Sequence, residues 1–488
     1  MDQWKRCLYC GAENNTANYT CSCIAEEPAH AYRALGLRFQ LNRQEIAEVK
    51  AAFQNYCFED ERGMLQYPLL PNRKYAGGIN LKVGLTPLHL LKSFSKKSGV
   101  QVFIKDEGQN PSGCFKDRET LSCLLNTRRR KRRKAVIYSS GNAAASAALF
   151  ARQQGLQLIT FVPGDTYAEK ITYIQKCGSD VVVLGKASTS FEEGFRLFVG
   201  LNEANVFEEA GFDNWAVRNP YRVQGDKTTA VEIARQLESQ MHEPIPDVVI
   251  VPSANGSNLA GIWEGFKELK HLGITDKLPR MVVAGIANAN PICKAVRMQE
   301  QEVPVACDLS GLQEQDAKIG SIIVAEEGYD SVEAAKAVLE SGGTAVEVGT
   351  QNIRKVMVRF LHRERRLALK HGVLPEPASY IAMAAVEQLR SRRKLRFGES
   401  AVAIVTGHGI KAQGTTRRLL KGYPGLLRTV QQIIGRKRRE NPVLGGKVRT
   451  GQRRVVAANL SAVQQAFYDL AETAPALAPY QMNSFFTT

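Results

Sequence analysis

Short apolar runs alternate with longer helical stretches between residues 101 and 410. Seven runs are rich in β-branched residues and bounded by turn residues, as buried strands are; they are Val102–Lys105, Ala135–Tyr138, Leu158–Val162, Asp180–Leu184, Asp247–Pro252, Met281–Ile286 and Ala401–Val405. Helical periodicity separates them at 142–154, 167–177, 226–240, 257–270 and 376–390. Strands that are apolar throughout and are separated by helices predict a parallel α/β sheet.

The two ends of the chain follow different patterns. Residues 1–35 are cysteine-rich and lack periodicity, whereas 36–74 contain a helix signal. In that signal Asn42 is the expected N-cap and Glu45 stands three residues later, as in a capping box. Residues 412–488 show no comparable strand pattern, and we expect a basic, partly disordered extension there.

Length and composition fit a globular protein. The chain has 488 residues, of which 44% are hydrophobic and 23% charged, so two or three domains are expected. No window approaches 18 consecutive apolar residues, which excludes a membrane-spanning helix. The N-terminus runs into cysteines without an apolar export signal, so we expect a cytoplasmic protein.

The formal charge of +17 is concentrated in two segments. Residues 127–134 hold seven basic residues and no acid, and residues 415–455 hold twelve basic residues and one acid, Glu440. Without these segments the chain is close to neutral. This distribution is typical of a neutral globule with basic surface stretches, and a dedicated nucleic-acid-binding function is not expected.

Four unusual loops follow predicted strands, where open α/β sheets bind ligands. They are Asn110–Arg118, Ser139–Asn142, Pro252–Asn258 and Thr406–Gly409. Each also has an ordinary structural explanation. A lysine in the first loop would form a Schiff base if desolvated, or a salt bridge at a helix start. The second and third loops would bind a ligand through helix-start amides, or would simply be capped turns.

Together these loops resemble one family. The string NPSGCFKDR, with GLTPL before it and SSGNAAAS after it, is similar to the pyridoxal-phosphate enzymes of fold type II, and among them to the threonine synthases. Further matches are NPYRVQGDKTTAVEI at 219–233, PSANGSNLAG at 252–261, PEPAS at 375–379 and VTGHGIK at 405–411. The resemblance covers about residues 80–411.

The resemblance implies a role for each matching residue. Lys116 would hold pyridoxal 5'-phosphate as an internal aldimine and later move protons. The side chain of Asn142 would bond the phenolic oxygen of the cofactor, and Thr406 would meet the pyridine nitrogen. The phosphate would lie on a loop formed by Ala254, Asn255, Gly256, Ser257 and Asn258. For the substrate, the candidates are Asn110, Ser112 and Lys227, with Arg118 and Arg222 as further cations that would equally form structural ion pairs.

The family fold implies an architecture as well. It comprises two parallel-sheet α/β domains with the cofactor in the cleft: a large domain at 75–130 and 230–411, and a small mobile domain at 131–229. Relatives of this fold are commonly dimers, so a homodimer is expected.

Several residues depart from the family pattern. Cys114 stands where serine is usual, Glu119 where glycine is usual, and Ala254 and Ser257 replace glycines of the phosphate loop. A thiol is a weaker donor than a hydroxyl. We expect these changes to lie near the substrate, so they bear on which reaction is catalysed more than on cofactor binding.

Four cysteines cluster at the N-terminus as Cys7-x2-Cys10 and Cys21-x-Cys23. They resemble the zinc-ribbon segment that precedes some threonine-synthase-like enzymes. Structural zinc is the expectation, with free thiols as the alternative, because the second pair is closer together than is usual for a zinc half-site.

Three functions are in competition. The first is a lyase that converts O-phosphohomoserine to threonine and phosphate. The second is β-replacement or β-elimination on O-phosphoserine, activated serine or threonine in a specialised amino-acid pathway. The third is a catalytically idle scaffold that binds nucleic acid or acidic partners through its basic segments.

Overall fold

Fourteen strands are present in the computed structural model, which describes residues 2–8, 12–14, 35–166, 168–186, 188–189, 191–216, 219–298, 331–440, 453–457 and 459–473. They are β1 Asp2–Cys7, β2 Glu13–Asn14, β3 Leu35–Gln40, β4 Leu88–Leu90, β5 Gln101–Asp106, β6 Lys134–Tyr138, β7 Gln157–Pro163, β8 Asp180–Leu184, β9 Phe212–Asn214, β10 Val248–Pro252, β11 Arg280–Ile286, β12 Thr344–Val348, β13 Ser400–Val405 and β14 Arg453–Val456. The seven strands predicted from the sequence are confirmed as β5, β6, β7, β8, β10, β11 and β13.

Seventeen α-helices lie in the same described ranges. They are α1 Arg43–Gln54, α2 Lys92–Ser98, α3 Lys116–Arg129, α4 Asn142–Gln153, α5 Ala168–Lys176, α6 Phe191–Glu203, α7 Val206–Glu209, α8 Pro220–Met241, α9 Ser257–His271, α10 Pro291–Met298, α11 Ser331–Glu340, α12 Thr350–Arg363, α13 Arg365–His371, α14 Tyr380–Ser391, α15 Gln413–Leu419, α16 Pro424–Glu440 and α17 Leu460–Thr473. The predicted capping box of α1 is confirmed, since Asn42 and Glu45 each accept a backbone bond from the other. None of these helices has the length and apolar character needed to cross a bilayer.

The chain forms two compact units. Unit 1 consists of Met1–Leu70, Lys82–Arg118 and Arg222–Gly445, and unit 2 consists of Pro71–Leu81, Glu119–Tyr221 and Gly446–Thr488. Each unit contains its own parallel sheet, which confirms the predicted α/β class.

Unit 1 is built on a six-stranded sheet in the order β12-β11-β10-β13-β5-β4. The strands are parallel except β4, which runs antiparallel to β5 at one edge. Strand β13 lies between β10 and β5, so two segments separated by some 140 residues of chain are joined through it. Both sheet faces are covered by helices and are apolar, as expected for a parallel sheet.

Unit 2 is built on a five-stranded, fully parallel sheet in the order β14-β8-β7-β6-β9. Its core contains an aromatic cluster in which the rings of Phe198 and Phe207 lie 4.9 Å apart. The Phe467 ring of α17 lies 4.8 Å from Phe212 and 5.3 Å from Phe207. The last described helix of the chain is therefore part of this core.

The C-terminal residues differ from the predicted appendage. In unit 1, Val430, Ile433 and Ile434 of α16 are buried in the main core. In unit 2, β14 pairs with β8, and α17 packs on the sheet. The helical periods of α16 and α17 are visible in the sequence, but the partners that bury them are distant in the chain.

The N-terminal strands form a small antiparallel sheet in the order β2-β1-β3. Cys7 is buried at the end of β1, and its N–H donates to the carbonyl of Ala12 at 2.9 Å. Cys10, Cys21 and Cys23 lie outside the described residues. Within the described part of the chain no cluster of three or more metal-ligand side chains occurs.

Candidate active site

The turn before Lys116 is held against the end of β13 by main-chain bonds. The N–H of Phe115 donates to the carbonyl of Thr406 at 3.1 Å, and the N–H of His408 donates to the carbonyl of Gly113 at 2.8 Å. The turn reverses at Gly113, which has a positive φ of 79°. Because such angles favour glycine, the Pro-Ser-Gly sequence is suited to this turn. Lys116 directly follows Phe115, so its backbone is held close to Thr406 at the end of β13.

Lys116 is the first residue of α3 and is partly buried. Its Nζ atom lies 4.4 Å from the centroid of the Phe115 ring. A helix start beside an aromatic face is a confined place for an amine, and its backbone is fixed by the bonds described above. These are conditions under which a lysine can be positioned to form a Schiff base.

Side chains inside the turn bond mainly to the protein itself. The Oδ1 atom of Asn110 accepts from the N–H of Gly84 at 2.9 Å, and its Nδ2 atom donates to Glu107 Oε2 at 2.7 Å. The N–H of Ser112 donates to Asp117 Oδ2 at 2.6 Å. These contacts favour a turn-holding role for Asn110 over direct substrate contact.

Cys114 is fully buried beside Ser112. The Sγ atom lies 3.2 Å from the Ser112 hydroxyl oxygen. Burial raises the pKa of the Cys114 thiol, so the neutral thiol is the favoured form. A neutral, buried thiol is a poor nucleophile, and it is most simply a packing and hydrogen-bonding substitute for a hydroxyl.

The hydroxyl of Thr406 belongs to a buried polar cluster. It donates to Glu376 Oε1 at 3.0 Å and lies 3.0 Å from the hydroxyl of Ser379. The Ser379 hydroxyl also accepts from the Thr406 N–H at 2.9 Å. Glu376 and Ser379 were not among the predicted site residues, although the PEPAS string that contains them was recognised. Their relation to Thr406 depends on pairing across about 30 residues, which the sequence does not show.

His408 has a structural role. Its Nδ1 atom accepts from the N–H of Ile410 at 3.1 Å, so the proton on Nε2 faces the carbonyl of Gly372 at 3.1 Å. Burial lowers the pKa of His408 to about 3, so the ring is neutral. The imidazole holds the loop and is not available as a general base.

The loop after β10 differs because two of its asparagine side chains contain buried polar atoms without partners among the described residues. The Oδ1 atom of Asn255 and both amide atoms of Asn258 are buried and have no hydrogen-bond partner among the described residues. Gly256 precedes α9 with a φ of 101°, and no described side chain caps that helix. The missing cap at Gly256 favours the ligand-binding explanation for this loop over the capped turn. Helix-start amides and carboxamide groups are suitable donors to a phosphate.

Two features keep this loop in place. Asn290 donates from Nδ2 to the carbonyl of Ser253 at 2.6 Å, and its Oδ1 atom accepts from the N–H of Cys293 at 2.9 Å. At Gly261 of α9, an added Cβ would lie 2.4 Å from the Cβ of Asp226, so only glycine permits this approach of α8. Asn290 lies outside every motif that the sequence suggested.

An ion cluster lies next to the Lys116 turn and is completely buried. Arg118 bonds Glu107 through Nε at 2.7 Å and Glu232 through Nη1 and Nη2 at 2.7 Å each. Lys105 donates to the same Glu232 at 2.7 Å. Burial alone would raise the pKa of Glu232, but Arg118 and Lys105 outweigh it and lower that pKa to about 2. The structural ion-pair explanation for Arg118 is confirmed.

Lys227 is also engaged within unit 1. Its Nζ atom donates to Glu268 Oε2 at 2.9 Å and to the carbonyl of Leu37 at 3.2 Å, and the side chain is almost completely buried. These bonds favour a structural role for Lys227, and its substrate contact stays a prediction.

In unit 2 the loop Ser139–Asn142 joins β6 to α4. The N-cap of α4 is Gly141, and among the described residues no side chain caps this helix. An added Cβ at Gly141 would meet no atom within 4 Å, so open space adjoins the loop. The Gly141 N–H donates to the Ser139 hydroxyl at 3.2 Å. The contact predicted for Asn142 stays a prediction.

Solved structures share the fold of this chain. The chain is similar to threonine synthase from Escherichia coli, with a TM-score of 0.59, 14% identity and coverage of 88% of this chain and 91% of that one. It is also similar to the processed form of threonine deaminase isoform 2 from Solanum lycopersicum, with a TM-score of 0.53, 19% identity and coverage of 78% and 94%. At these identities the likeness shows the fold alone.

The sequence comparisons extend this to the family. Residues 79–407 match the model of the pyridoxal-phosphate dependent enzymes, and the chain therefore belongs to this family. Threonine synthases are similar to it over most of its length. That of a Bacillus species is 30% identical over 70% of this chain and 87% of its own, and that of Methanocaldococcus jannaschii is 28% identical over 83% and 92%. The resemblance to a threonine-synthase-like lyase is confirmed.

Proposed function

We propose that this enzyme converts O-phosphohomoserine to threonine and phosphate, with pyridoxal 5'-phosphate bound at Lys116. The observation that carries the proposal is the group of buried, unpartnered amide atoms at Asn255 and Asn258. A buried polar group without a partner costs about 1–3 kcal/mol. A phosphate ester on this loop would accept from the Asn258 Nδ2 atom, the one donor among these atoms, and would remove that cost for it. The family match supplies the identity of the ester.

The proposed cofactor contacts follow from the chemistry of each group. The Lys116 amine would hold the aldehyde carbon, and Ala254, Asn255, Gly256, Ser257 and Asn258 would surround the phosphate with N–H donors. Thr406 would meet the ring nitrogen, and Asn142 the phenolic oxygen. When bound, pyridoxal phosphate supplies an electron sink for negative charge at the substrate α-carbon.

Lys116 would also move protons. As the residue that would hold the cofactor, it would lie beside the α-carbon of a bound substrate, and its backbone is tied to Thr406 through Phe115. A base held in this way acts without a search for the right geometry. It would take the α-proton and then a β-proton, so that phosphate leaves from the γ-carbon. Protons would be returned at the γ- and α-carbons, and water would add its hydroxyl at the β-carbon.

The neutral hydroxyl of Thr406 would limit proton transfer to the ring nitrogen. Thr406 donates to Glu376 while it lies beside the Ser379 hydroxyl. To donate to the ring nitrogen, the Thr406 hydroxyl would have to turn away from Glu376, whose carboxylate would then accept from another donor. A hydroxyl at this position would place no cation beside the ring.

Three further expectations accompany the proposal. Ser112, Asn110 and Lys227 are kept as proposed substrate contacts, and each would have to exchange a bond it already makes within the protein. A homodimer and the division into a large domain at 75–130 and 230–411 and a small domain at 131–229 are carried from the family. Zinc at Cys7, Cys10, Cys21 and Cys23 stays a prediction that metal analysis of the purified protein would test.

The test is a substrate panel on cofactor-loaded protein, with phosphate release and product mass as readouts. The panel contains O-phosphohomoserine, O-phosphoserine, O-acetylserine, serine and threonine. We expect phosphate and threonine from O-phosphohomoserine. Inertness there, with turnover of a serine derivative, would replace the proposal by β-replacement or β-elimination.

The role of Lys116 is tested separately. Lys116→Ala is expected to abolish turnover and the visible absorbance of bound cofactor. Lys176→Ala, an exposed lysine of α5 in unit 2, is the matched control and is expected to keep both. Retention of the Lys116→Ala absorbance and turnover would show that another amine carries the cofactor.

A further inference from the structure

Helices α12, α13, α15 and α16 of unit 1 carry most of the excess charge of the protein. Residues 350–371 and 413–440, which contain these helices, hold fifteen Lys or Arg and two acids. Their net charge of +13 compares with +17 for the whole chain. We call the exposed side of these four helices the basic face.

The two acids of the basic face do not neutralise it. Glu364 is buried and accepts from the N–H of Ser93 at 2.8 Å and from its hydroxyl at 2.5 Å. Glu440 is paired with Arg436 of the same helix. Twelve exposed cations remain, and none has an ion-pair partner in the part of the chain that the structure describes; they are Arg354, Lys355, Arg363, Arg365, Arg366, Lys370, Arg417, Arg418, Lys421, Arg428, Arg438 and Arg439.

The four helices form one continuous surface. The Nε atom of Arg354 in α12 donates to the carbonyl of Leu419 at 2.8 Å, and its Nη2 atom donates to that of Lys421 at 2.9 Å. The Nη1 atom of Arg436 in α16 donates to the carbonyl of Lys370 in α13 at 2.6 Å. The apolar sides of α12 and α16 are buried in the same core, so their charged sides point away from it.

The arginine run of unit 2 differs from this surface. Arg130 pairs with Glu208 and Asp213, and Arg132 pairs with Glu208. Part of the charge in residues 127–134 is therefore neutralised within unit 2. The basic character of α16 was visible in the sequence segment 415–455, whereas that of α12 and α13 was not singled out.

We propose that the basic face binds the phosphate backbone of a nucleic acid, independently of base sequence. Nine of its twelve unpaired cations are arginines, which bind phosphate oxygens bidentately. When cations of this surface neutralise the phosphates of a nucleic acid, the counterions condensed on those phosphates are released. This release drives association.

Other occupants fit less well. Of the large exposed hydrophobic side chains found in the described residues, Tyr423 alone belongs to these segments, so there is little to insert into a membrane. A second copy of the same face is disfavoured, because two surfaces of charge +13 repel each other. An acidic peptide has carboxylates but lacks the regular spacing of phosphates along a nucleic acid. Binding of an acidic peptide is one of the results that the competition experiment below distinguishes.

The test measures binding of the full-length holoenzyme to fluorescent RNA and DNA of about 20 nucleotides by anisotropy, at salt concentrations from about 50 to 200 mM. If six or more phosphates are contacted, the affinity should fall at least about 10³-fold over that range. Absence of binding at the lowest salt would overturn the proposal.

A matched pair of variants separates the basic face from net charge. The triple variant Arg363→Gln, Arg365→Gln, Arg366→Gln should weaken binding by at least about tenfold and reduce the salt slope by about 3. The control Arg129→Gln, Lys131→Gln, Arg133→Gln removes the same charge from exposed positions of unit 2 and should change binding less than about twofold. Equal losses in both variants would overturn the proposal.

Competition identifies the partner class. Displacement of the RNA by unlabelled nucleic acid, but not by polyglutamate or by anionic vesicles at equal charge, supports a nucleic acid. Displacement by polyglutamate or vesicles at the same charge concentration overturns it in favour of that class. Cofactor absorbance, measured in each variant, confirms that the fold is intact.

Discussion

Two buried polar regions of unit 1 have opposite hydrogen-bonding states. Around Arg118, both Glu107 and Glu232 accept charged hydrogen bonds, and Lys105 has partners as well. On the loop after β10, the amide atoms of Asn255 and Asn258 have none within the described residues. Both regions contain motif residues, and both flank strand ends.

This difference in hydrogen bonding distinguishes residues with a structural role from residues suited to bind a ligand. A folded protein rarely leaves a buried polar group unsatisfied, because each such group costs free energy. A complete set of partners therefore indicates a structural role for Arg118, although its sequence setting also suited anion binding. Missing partners indicate a ligand for the asparagine loop.

The largest expected effect comes from breaking the satisfied region. Glu232→Ala removes the shared partner of Arg118 and Lys105 and leaves buried cations short of negative charge. We expect a loss of about 3–5 kcal/mol in the free energy of unfolding, measured by urea denaturation of the apoprotein.

Glu238→Ala on the same helix is the control for this change. Glu238 is partly exposed and pairs with Arg235 nearby. Its loss should cost about 1 kcal/mol or less. Similar losses for Glu232→Ala and Glu238→Ala would mean that the buried cluster contributes no special stability.

A smaller effect is expected on the unsatisfied side. Asn258→Ala removes buried amide atoms that have no described partner, so the apoprotein should be destabilised little. Cofactor affinity should fall about tenfold to a hundredfold, as for hydrogen bonds to a charged group. Titration of apoprotein with pyridoxal phosphate, followed by absorbance, measures this.

Asn352→Ala, an exposed asparagine of α12, is the control and should leave the affinity unchanged. If Asn258→Ala instead destabilised the apoprotein strongly and bound cofactor normally, the loop would belong with the structural region.

Acid pH provides a third comparison, because His408 is buried, neutral and fully hydrogen-bonded. The pKa of His408 is lowered by burial to about 3 from 6.5, so the unfolded chain takes up the proton first. The contribution of His408 to the free energy of unfolding is complete above about pH 6.5. It is lost as the pH falls from there towards 3, and the free energy of unfolding then decreases by at most about 1.4 kcal/mol per pH unit.

In His408→Asn the side-chain oxygen can still accept from Ile410, but the group no longer titrates. The stability advantage of the wild type over this variant should therefore shrink between pH 7 and 5 in urea denaturation. The pKa of Asp106, raised by burial to about 6, changes stability in the opposite direction but does so in both proteins. Parallel pH profiles would contradict the prediction.

The smallest effect is expected at Cys114. Cys114→Ser introduces the residue usual in the family at a buried site 3.2 Å from the Ser112 hydroxyl. The free energy of unfolding should change by about 1 kcal/mol or less, and turnover of O-phosphohomoserine should change little. In native protein Cys57, which is exposed, should react with a thiol reagent before the buried Cys114 does. Loss of turnover in Cys114→Ser would show that the thiol is required.

Much of the α/β framework could be predicted because the central strands are apolar throughout. Each predicted strand lies within a residue or so of an observed one. β14 was missed because an edge strand of sequence RRVV has alternating exposure and no continuous apolar run. α17 has a visible period, but its place in the aromatic core of unit 2 depends on β6, β7 and β9, far away in the chain.

The location of the candidate site could be predicted more readily than the roles of its individual residues. Loops at the carboxyl ends of parallel strands were the right places to look. What distinguishes Arg118 from Asn258 is the set of partners around them, and Glu232 lies 114 residues from Arg118. Ser379 and Asn290 were missed for the same reason, since their functions are defined by main-chain groups brought close only by folding.

The position of β14 and α17 has a consequence for biosynthesis. They supply an edge strand and the Phe467 ring to a sheet whose other strands end at Asn214. On the ribosome, unit 2 therefore stays incomplete while more than two hundred further residues are made, and its β8 edge has no partner during that time. An exposed strand edge is prone to chaperone binding or to wrong pairing. Unit 2 therefore becomes protected against aggregation only after residues 453–473 have been translated.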